Sequence, residues 1–264
     1  MNILEQLAEH ARFRVEENKK NKSLEEIKAE ALSLPKGAFE FEKALAMPGM
    51  SFICECKKAS PSKGIIAEKF DYLDIARAYE EAGADCISVL TEPKWFLGSD
   101  KYLEDIANAV SIPIIRKDFT VDEYMIYEAK VLGASAVLLI CSILTEEQIK
   151  DYIRICDSLG ISALVEAHDD AEVKMAARAG ARIIGVNNRN LRDFSVDTGN
   201  SRRLKALVDD KVIFVSESGI KTAEDIFQLK EAGVDAVLIG ETLMKATDKK
   251  GKLKELRGDE DDNN

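Results

Sequence analysis

From about residue 50 onward, short runs of β-branched and aliphatic residues alternate with longer segments whose apolar positions recur at helical spacing. The runs predict strands over Ser51–Cys56, Asp85–Leu90, Pro113–Arg116, Ala136–Ile140, Ser162–Glu166, Ile183–Val186, Val212–Ser216 and Ala236–Ile239. Between them, Leu73–Ala82, Lys101–Val110, Val121–Leu132, Glu146–Leu159, Ala171–Ala179, Ser201–Val208 and Ala223–Ala232 read as helices, and a last short helix starts near Glu241. The punctuation repeats around Gly83, Gly133, Gly180 and Gly233. In each case a helix ends, the glycine takes up the left-handed conformation that a Cβ would penalise, and a strand begins within two residues. Strands joined by such tight turns and right-handed crossovers close into a barrel, so the fold class expected is α/β, a single (β/α)8 (TIM) barrel. An open doubly wound sheet is the alternative, but no G-x-G-x-x-G turn follows the first strand.

Residues 1–48 lie outside this repeat and predict an N-terminal helical extension packing on the barrel and able to cap one end of it. Ile3–Asn18 and Leu24–Leu32 have helical spacing, with Ser23 as N-cap and Glu26 completing a capping box, and Phe39–Ala46 reads as a third short helix. Residues 49–250 form the catalytic barrel in this reading. Residues 251–264 (GKLKELRGDEDDNN) are polar and are expected to be a disordered tail.

Composition narrows the function. A chain of 264 residues with 46% apolar and 32% charged residues is long enough for one large domain with a sizeable core. The net charge of −11 argues against non-specific nucleic-acid binding and against anionic membranes, although a local pocket can still be basic. The N-terminus has no apolar signal-peptide core, and no apolar run approaches the ~20 residues that span a bilayer. Five cysteines form no evident disulfide framework, which suggests a reducing compartment and predicts a cytoplasmic protein. Cys54 and Cys56 have C-x-C spacing, but no second pair or His cluster completes a metal site, so no metal is expected and small apolar filler is the reading.

The candidate chemistry sits where apolar runs end abruptly in charge, which delivers side chains to one rim of a parallel barrel. In Ser51–Lys57, alternation puts Glu55 and Lys57 on one face and Cys54 and Cys56 on the other. The following loop, Lys58–Gly64, suits anion binding and suits an exposed turn equally. Arg116 and Lys117 point to opposite faces, so only one can enter a pocket. Lysine is the better acid or base, because burial and neighbours can lower its pKa; a surface ion pair with Asp118 is the alternative. Glu166 and Glu217 each end a strand, and carboxylates near two lysines make a site with separated proton affinities. His168 reads as a polar loop residue and His10 as irrelevant to the site. Small residues at Ser218, Gly219 and Gly240 follow the seventh and eighth strands, where barrels commonly bind phosphate; ordinary turns are the alternative.

In chain order, ECKKASPSKG (55–64), LTEPKWFLGS (90–99), RKDF (116–119), VEA (165–167), GVNNRNL (185–191), SESGI (216–220) and LIGE (238–241) resemble the indole-3-glycerol phosphate synthase family, a match running from the N-terminal helices to about Ala246. One such tetrapeptide is a weak signal; the ordered set, each member after a strand, is a specific one. The resemblance implies a cofactor-free lyase of tryptophan biosynthesis. It acts on 1-(2-carboxyphenylamino)-1-deoxyribulose 5-phosphate by ring closure, decarboxylation and dehydration. It implies Lys117 as the acid at the ribulose carbonyl and Glu166 as the base. Lys57 grips the departing carboxylate and is able to act as an acid in dehydration, and the division of steps between the lysines stays open. Glu55, Asn187 and Glu217 match a polar ring braced by Arg189. Ser60 helps hold the carboxylate, and Phe96 and Phe119 wall the anthranilate ring with Leu138 below. Ser218, Gly219, Gly240 and Glu241 bind phosphate, Glu241 through its N–H, because its carboxylate must turn away. The partner implied is the small phosphorylated substrate, with no nucleic acid and no membrane; a monomer is expected, although no stripe in the sequence encodes the oligomeric state. Two other readings compete. A sister barrel such as phosphoribosylanthranilate isomerase would want a Cys–Asp pair, and strand parity turns Cys56 outward. A non-catalytic phosphate-binding barrel would have no need of Lys117 and Glu166 together.

Overall fold

A computed structural model describes residues 2–190 and 194–258; Met1, Leu191 at the end of the fifth motif, and 259–264 of the predicted tail lie outside the described residues. Eight parallel strands close into a barrel: β1 (Ser51–Cys56), β2 (Cys86–Leu90), β3 (Ile114–Lys117), β4 (Ala136–Ile140), β5 (Ser162–Ala167), β6 (Ile183–Asn187), β7 (Ile213–Glu217) and β8 (Ala236–Ile239). Each pairs with its neighbours in sequence, and β1 pairs with β8. The register sets the strand ends level. Leu90 lies opposite Lys117, Ile140 opposite Glu166, and Asn187 opposite Glu217. Residues from distant parts of the chain therefore meet at the C-terminal rim.

Three helices precede the barrel: α1 (Ile3–Asn21), α2 (Leu24–Ser33) and α3 (Glu40–Leu45). The crossover helices are α4 (Tyr72–Glu81), α5 (Asp100–Ala107), α6 (Glu123–Val131), α7 (Glu146–Leu159), α8 (Asp170–Arg178), α9 (Gly199–Lys205) and α10 (Ala223–Glu231), and α11 (Glu241–Lys245) and α12 (Lys249–Arg257) follow β8. Local chemistry starts and stops them. Asn2/Glu5, Ser23/Glu26, Thr145/Gln148 and Thr222/Asp225 form reciprocal capping boxes. Gly83, Gly133, Gly180 and Gly233 take φ of 84°, 89°, 86° and 78°, the left-handed turn expected after α4, α6, α8 and α10. In α7 the apolar stripe Ile149, Ile153 and Cys156 is buried on the barrel.

Strand β1 shows how the pleat sorts its residues. Phe52, Cys54 and Cys56 are buried on the helix-facing side, where the Phe52 ring lies 4.6 Å from the Arg257 guanidinium of α12. Glu55 and Lys57 occupy the other face. The five cysteines are all buried and free. A short hairpin, Ala59–Ser60 with Gly64–Ile65, follows β1 and was not anticipated.

The N-terminal extension touches both ends of the barrel rather than capping one. Helix α3 closes the N-terminal end: the Glu42 N–H donates to Ser162 Oγ at the start of β5, and Ser51 Oγ at the start of β1 donates to the Ala44 carbonyl. Helix α2 packs on α6, with Lys28 Nζ 5.5 Å from the Tyr127 ring centre. Helix α1 reaches the C-terminal rim, where Arg14 pairs with Asp118 at 2.6 Å.

The expectation of a disordered tail from residue 251 is corrected. Residues 249–257 form α12, which buries Leu253 and Leu256 against the protein and is capped by Asp248 and by Gly258 at φ 76°. Two leucines three apart among lysines and glutamates are a faint apolar stripe. The helix is held by packing against α4 and α10 rather than by its own composition. Among the described residues no helix is long and apolar enough to cross a membrane.

Candidate active site

A cavity of about 930 Å³ opens at the C-terminal rim. Every candidate site residue from the sequence lines it. Glu55 and Lys57 come from the end of β1, Ser60 from the hairpin, and Phe96 from the loop after β2. Lys117 and Phe119 come from β3, Leu138 from β4, Glu166 from β5, and Asn187 and Arg189 from β6. Glu217, Ser218 and Gly219 follow from β7, and Gly240 and Glu241 from β8.

Lys117 lies at the charged centre. Its Nζ is 3.2 Å from Glu166 Oε2 and 3.3 Å from Glu217 Oε2, and its side chain is 14% exposed. Burial pulls the ammonium down, but Glu217, Glu166 and Glu55 outweigh it, so the lysine pKa lies above its ordinary value. This corrects the expectation that burial and neighbours lower it: three converging carboxylates hold the proton on. The two glutamates beside it differ. Burial raises Glu166, yet Lys117, His168 and a hydrogen bond with Asn187 bring it below the ordinary carboxylate value. Burial pushes Glu217 up to about 7, and the nearby Glu166 and Glu55 add to the push against Lys117. Glu217 Oε1 is buried with no hydrogen-bond partner, which is the geometric counterpart of that reluctance to ionise. Gly185 makes room for this oxygen, since a Cβ there would lie 2.3 Å from it.

A second ion pair stands beside the first. Lys57 Nζ is 2.5 Å from Glu55 Oε1, and Ser88 Oγ donates to Glu55 Oε2 at 3.4 Å. Gly240 gives this pair its space: an added Cβ would meet Glu55 Oε1 at 2.3 Å and Lys57 Nζ at 2.8 Å. The register puts β8 next to β1, which is why a glycine after one strand frames a lysine after the other.

The two ends of the cavity differ in character. At one end the rings of Phe96 and Phe119 lie 6.1 Å apart, inclined by 41°. At the other, Ser218 and Gly219 take φ of 68° and 87°, turning the backbone after β7, and the first turn of α11 begins at Glu241. First-turn N–H groups lack an i−4 carbonyl and can accept an anion. The Glu241 carboxylate turns to Lys245 at 2.6 Å, and Lys63 lies 3.9 Å away. Arg189 and Lys221 also line the cavity. The Arg189 guanidinium donates to the Phe194 carbonyl, and its backbone N–H donates to Asn187 Oδ1, so it ties the loop after β6 to the polar ring.

The charges left out of the cavity are equally ordered. Arg116, 2% exposed, points to the helix side and pairs with Asp100 at 2.7 Å and Glu128 at 2.8 Å. Asp118 does not pair with Lys117: it accepts from both Arg14 and Thr91. Sequence reasoning missed the lining by Ile3 and Leu7 of α1, which nothing local to those residues signals. It also placed both histidines outside the site. His10 Nδ1 lies 3.2 Å from the fully buried Glu92, whose carboxylate accepts from the N–H groups of Lys94, Trp95 and Phe96 and so shapes the loop that carries Phe96. His168 Nε2 lies 3.4 Å from Glu166 Oε1. Among the described residues no cluster of His, Cys, Asp or Glu is arranged to hold a metal ion.

A family model described as indole-3-glycerol phosphate synthase matches residues 4–256. The chain is 57% identical over 257 residues to an indole-3-glycerol phosphate synthase of Ruminiclostridium cellulolyticum, covering 97% of this chain and 99% of that one. It is 51% identical over 267 residues to one of Lachnoclostridium phytofermentans, covering 97% and 98%. Among solved structures, 3-hexulose-6-phosphate synthase superposes with a TM-score of 0.64 at 17% identity, over 79% of this chain and 99% of that chain, a likeness of fold alone.

Proposed function

The chain belongs to the indole-3-glycerol phosphate synthase family, and for that family's carboxy-lyase reaction we propose a division of labour among the side chains of the cavity. The reaction converts 1-(2-carboxyphenylamino)-1-deoxyribulose 5-phosphate into indole-3-glycerol phosphate, carbon dioxide and water, a step of tryptophan biosynthesis. Its proton balance sets the requirements. The ribulose carbonyl oxygen gains a proton on ring closure and a second on leaving as water. One proton is lost from carbon as the pyrrole ring becomes aromatic.

In this reading the Lys117 ammonium donates to the carbonyl oxygen as the ring carbon bearing the carboxylate attacks. Phe96 and Phe119 hold the aromatic ring over that carbon, with Leu138 beneath. Lys57, with Ser60, grips the carboxylate. The bond to it then breaks, its electron pair restores the aromatic ring, and Lys57 protonates the departing hydroxyl and regains its proton from solvent, the one proton the reaction consumes overall. Glu166 takes the carbon-bound proton and returns it to the Lys117 amine, 3.2 Å away. Glu55, Asn187 and Glu217 orient the two lysines and the sugar hydroxyls, with Arg189 as brace. Ser218, Gly219, Gly240 and the Glu241 N–H bind the phosphate, and the basic residues at that end of the cavity support this placement. The observation that carries the reading is the Lys117 ammonium held between Glu166 and Glu217 in a cavity with an aromatic end and a basic end.

Steady-state turnover, followed by indole fluorescence, tests the assignment. Glu166→Gln should lower kcat by about 10²–10⁴-fold with KM changed far less, the size of a general-base contribution. Lys57→Met should raise KM as well as lower kcat, because it removes a substrate contact and an acid. A Glu166→Gln enzyme at the wild-type rate contradicts the assigned base. Action as a monomer is part of this reading; sedimentation at working concentration checks it. The free, buried cysteines support a cytoplasmic location.

A further inference from the structure

Glu166 and Glu217 are nearly equidistant from Lys117, at 3.2 and 3.3 Å, and both are almost fully buried, yet the chemistry needs one of them ionised as the base. By distance Lys117 barely distinguishes them, although its ammonium donates a hydrogen bond to Glu166. Besides the Asn187 hydrogen bond to Glu166, what does is on the far side of that carboxylate, where the imidazole of His168 lies against its second oxygen, Nε2 to Oε1 at 3.4 Å. The corresponding oxygen of Glu217 has no partner. We propose that His168 is a positioning residue that makes Glu166, and not Glu217, the ionised carboxylate beside Lys117. The inference rests on the reading of Glu166 as the base.

The surroundings of His168 supply a cation rather than a neutral ring. Nδ1 lies 3.1 Å from Glu172 Oε2, one turn along in the same segment, and Nε2 faces Glu166. A neutral imidazole has one N–H and would leave a bare nitrogen lone pair against one of the two carboxylates; the imidazolium presents an N–H to each. Nε2 is buried without a closed hydrogen bond, aimed at Glu166. The arrangement is built in from several elements. The His168 backbone N–H donates to Glu172 at 2.8 Å, Ser142 after β4 donates to the other Glu172 oxygen at 2.5 Å and lies 3.3 Å from Nδ1, and Asn200 of α9 donates to the His168 carbonyl at 3.1 Å. The charged and titratable groups facing the ring are therefore Glu166 on β5, Glu172 on α8 and, further off, Glu217 on β7. Burial pulls the ring down, but these carboxylates outweigh it and raise the imidazole above its ordinary value. Glu172 in turn is held below the ordinary carboxylate range by His168 and Ser142 against its burial. No step of the reaction passes through His168, so it touches the chemistry only through Glu166.

The sign follows. Removing the cation disfavours the Glu166 carboxylate, so its pKa rises. The acid limb of the kcat–pH profile then moves to higher pH, and Glu166 is protonated where the wild type still turns over. In His168→Gln, the acid limb should shift up by about one unit or more, as expected for loss of an opposite charge at this range, with KM for the substrate little changed. Glu172→Gln, which removes the carboxylate that keeps the ring charged, should shift it in the same direction and covers the case in which His168→Gln folds poorly. The carboxyl of Glu166, followed by NMR in protein labelled with ¹³C-glutamate, should titrate higher in either variant. An acid limb and a Glu166 titration that both coincide with wild type overturn the proposal. A Glu166 titration that moves while the kinetic limb stays put leaves the His168 contact standing and overturns the reading of Glu166 as the base.

Discussion

At the scale of single residues, the site is a contest between burial and charge. Lys117 keeps its proton because three carboxylates outweigh its desolvation, whereas Glu217, with one oxygen unpartnered, is pushed to about 7. The sign of its effect on stability is fixed by linkage. The ordinary value is 4.5 and the folded value about 7, so between them the native state holds a proton that the unfolded chain has lost. Native stability from this group therefore falls as pH rises through that window and stays at its lower level above it. Glu217→Gln, which mimics the protonated form, should gain in stability relative to wild type between about pH 5 and pH 8, while losing activity. Urea denaturation at both pH values checks this, and a wild type that gains relative to the variant would contradict it. The positions of the charged groups were legible in the sequence, because a charge that interrupts an apolar run has only the rim to occupy. The direction of the lysine shift was not legible, since it depends on Glu55, Glu166 and Glu217 arriving from three separate strands. The contacts of His168 were hidden for a similar reason: its partners are one turn away on α8 and on the strand it leaves.

At the scale of elements, short rules placed most of the chain. Turn glycines ended four crossover helices as expected, and the Ser23/Glu26 box starts α2 where the spacing put it. The C-terminal helix escaped because its evidence is tertiary. Leu253 and Leu256 are 1% and 0% exposed, but in the sequence they sit among charges like any solvated stretch. If α12 is part of the barrel's packing, Leu253→Ala should cost about 2–5 kcal/mol, the range for a buried leucine that leaves a cavity. An unfolding free energy equal to wild type would contradict that packing. The N-terminal extension was read as able to cap one end of the barrel, yet α1 joins the C-terminal rim through Arg14 and Asp118, next in sequence to Lys117, while α3 lies at the other end. Packing partners so distant in sequence leave no local periodicity to read.

At the scale of the whole molecule, a closed parallel barrel turns strand order into a reaction site. Although the protein carries a net charge of −11, Lys63, Arg189, Lys221 and Lys245 all line the one cavity, and in the proposed reading they favour the substrate's phosphate there. In that reading the aromatic end and the central lysines complete the site for a carboxyphenylamino sugar phosphate. The most direct test of this account is single-turnover indole fluorescence in Lys117→Met, with fold checked by circular dichroism and binding checked with an analogue whose carbonyl is reduced. The account predicts analogue binding within a few-fold of wild type and a rate of indole formation lower by about 10³-fold or more, as expected when the acid of the first bond-forming step is removed. A folded Lys117→Met enzyme that forms indole at close to the wild-type rate would contradict it.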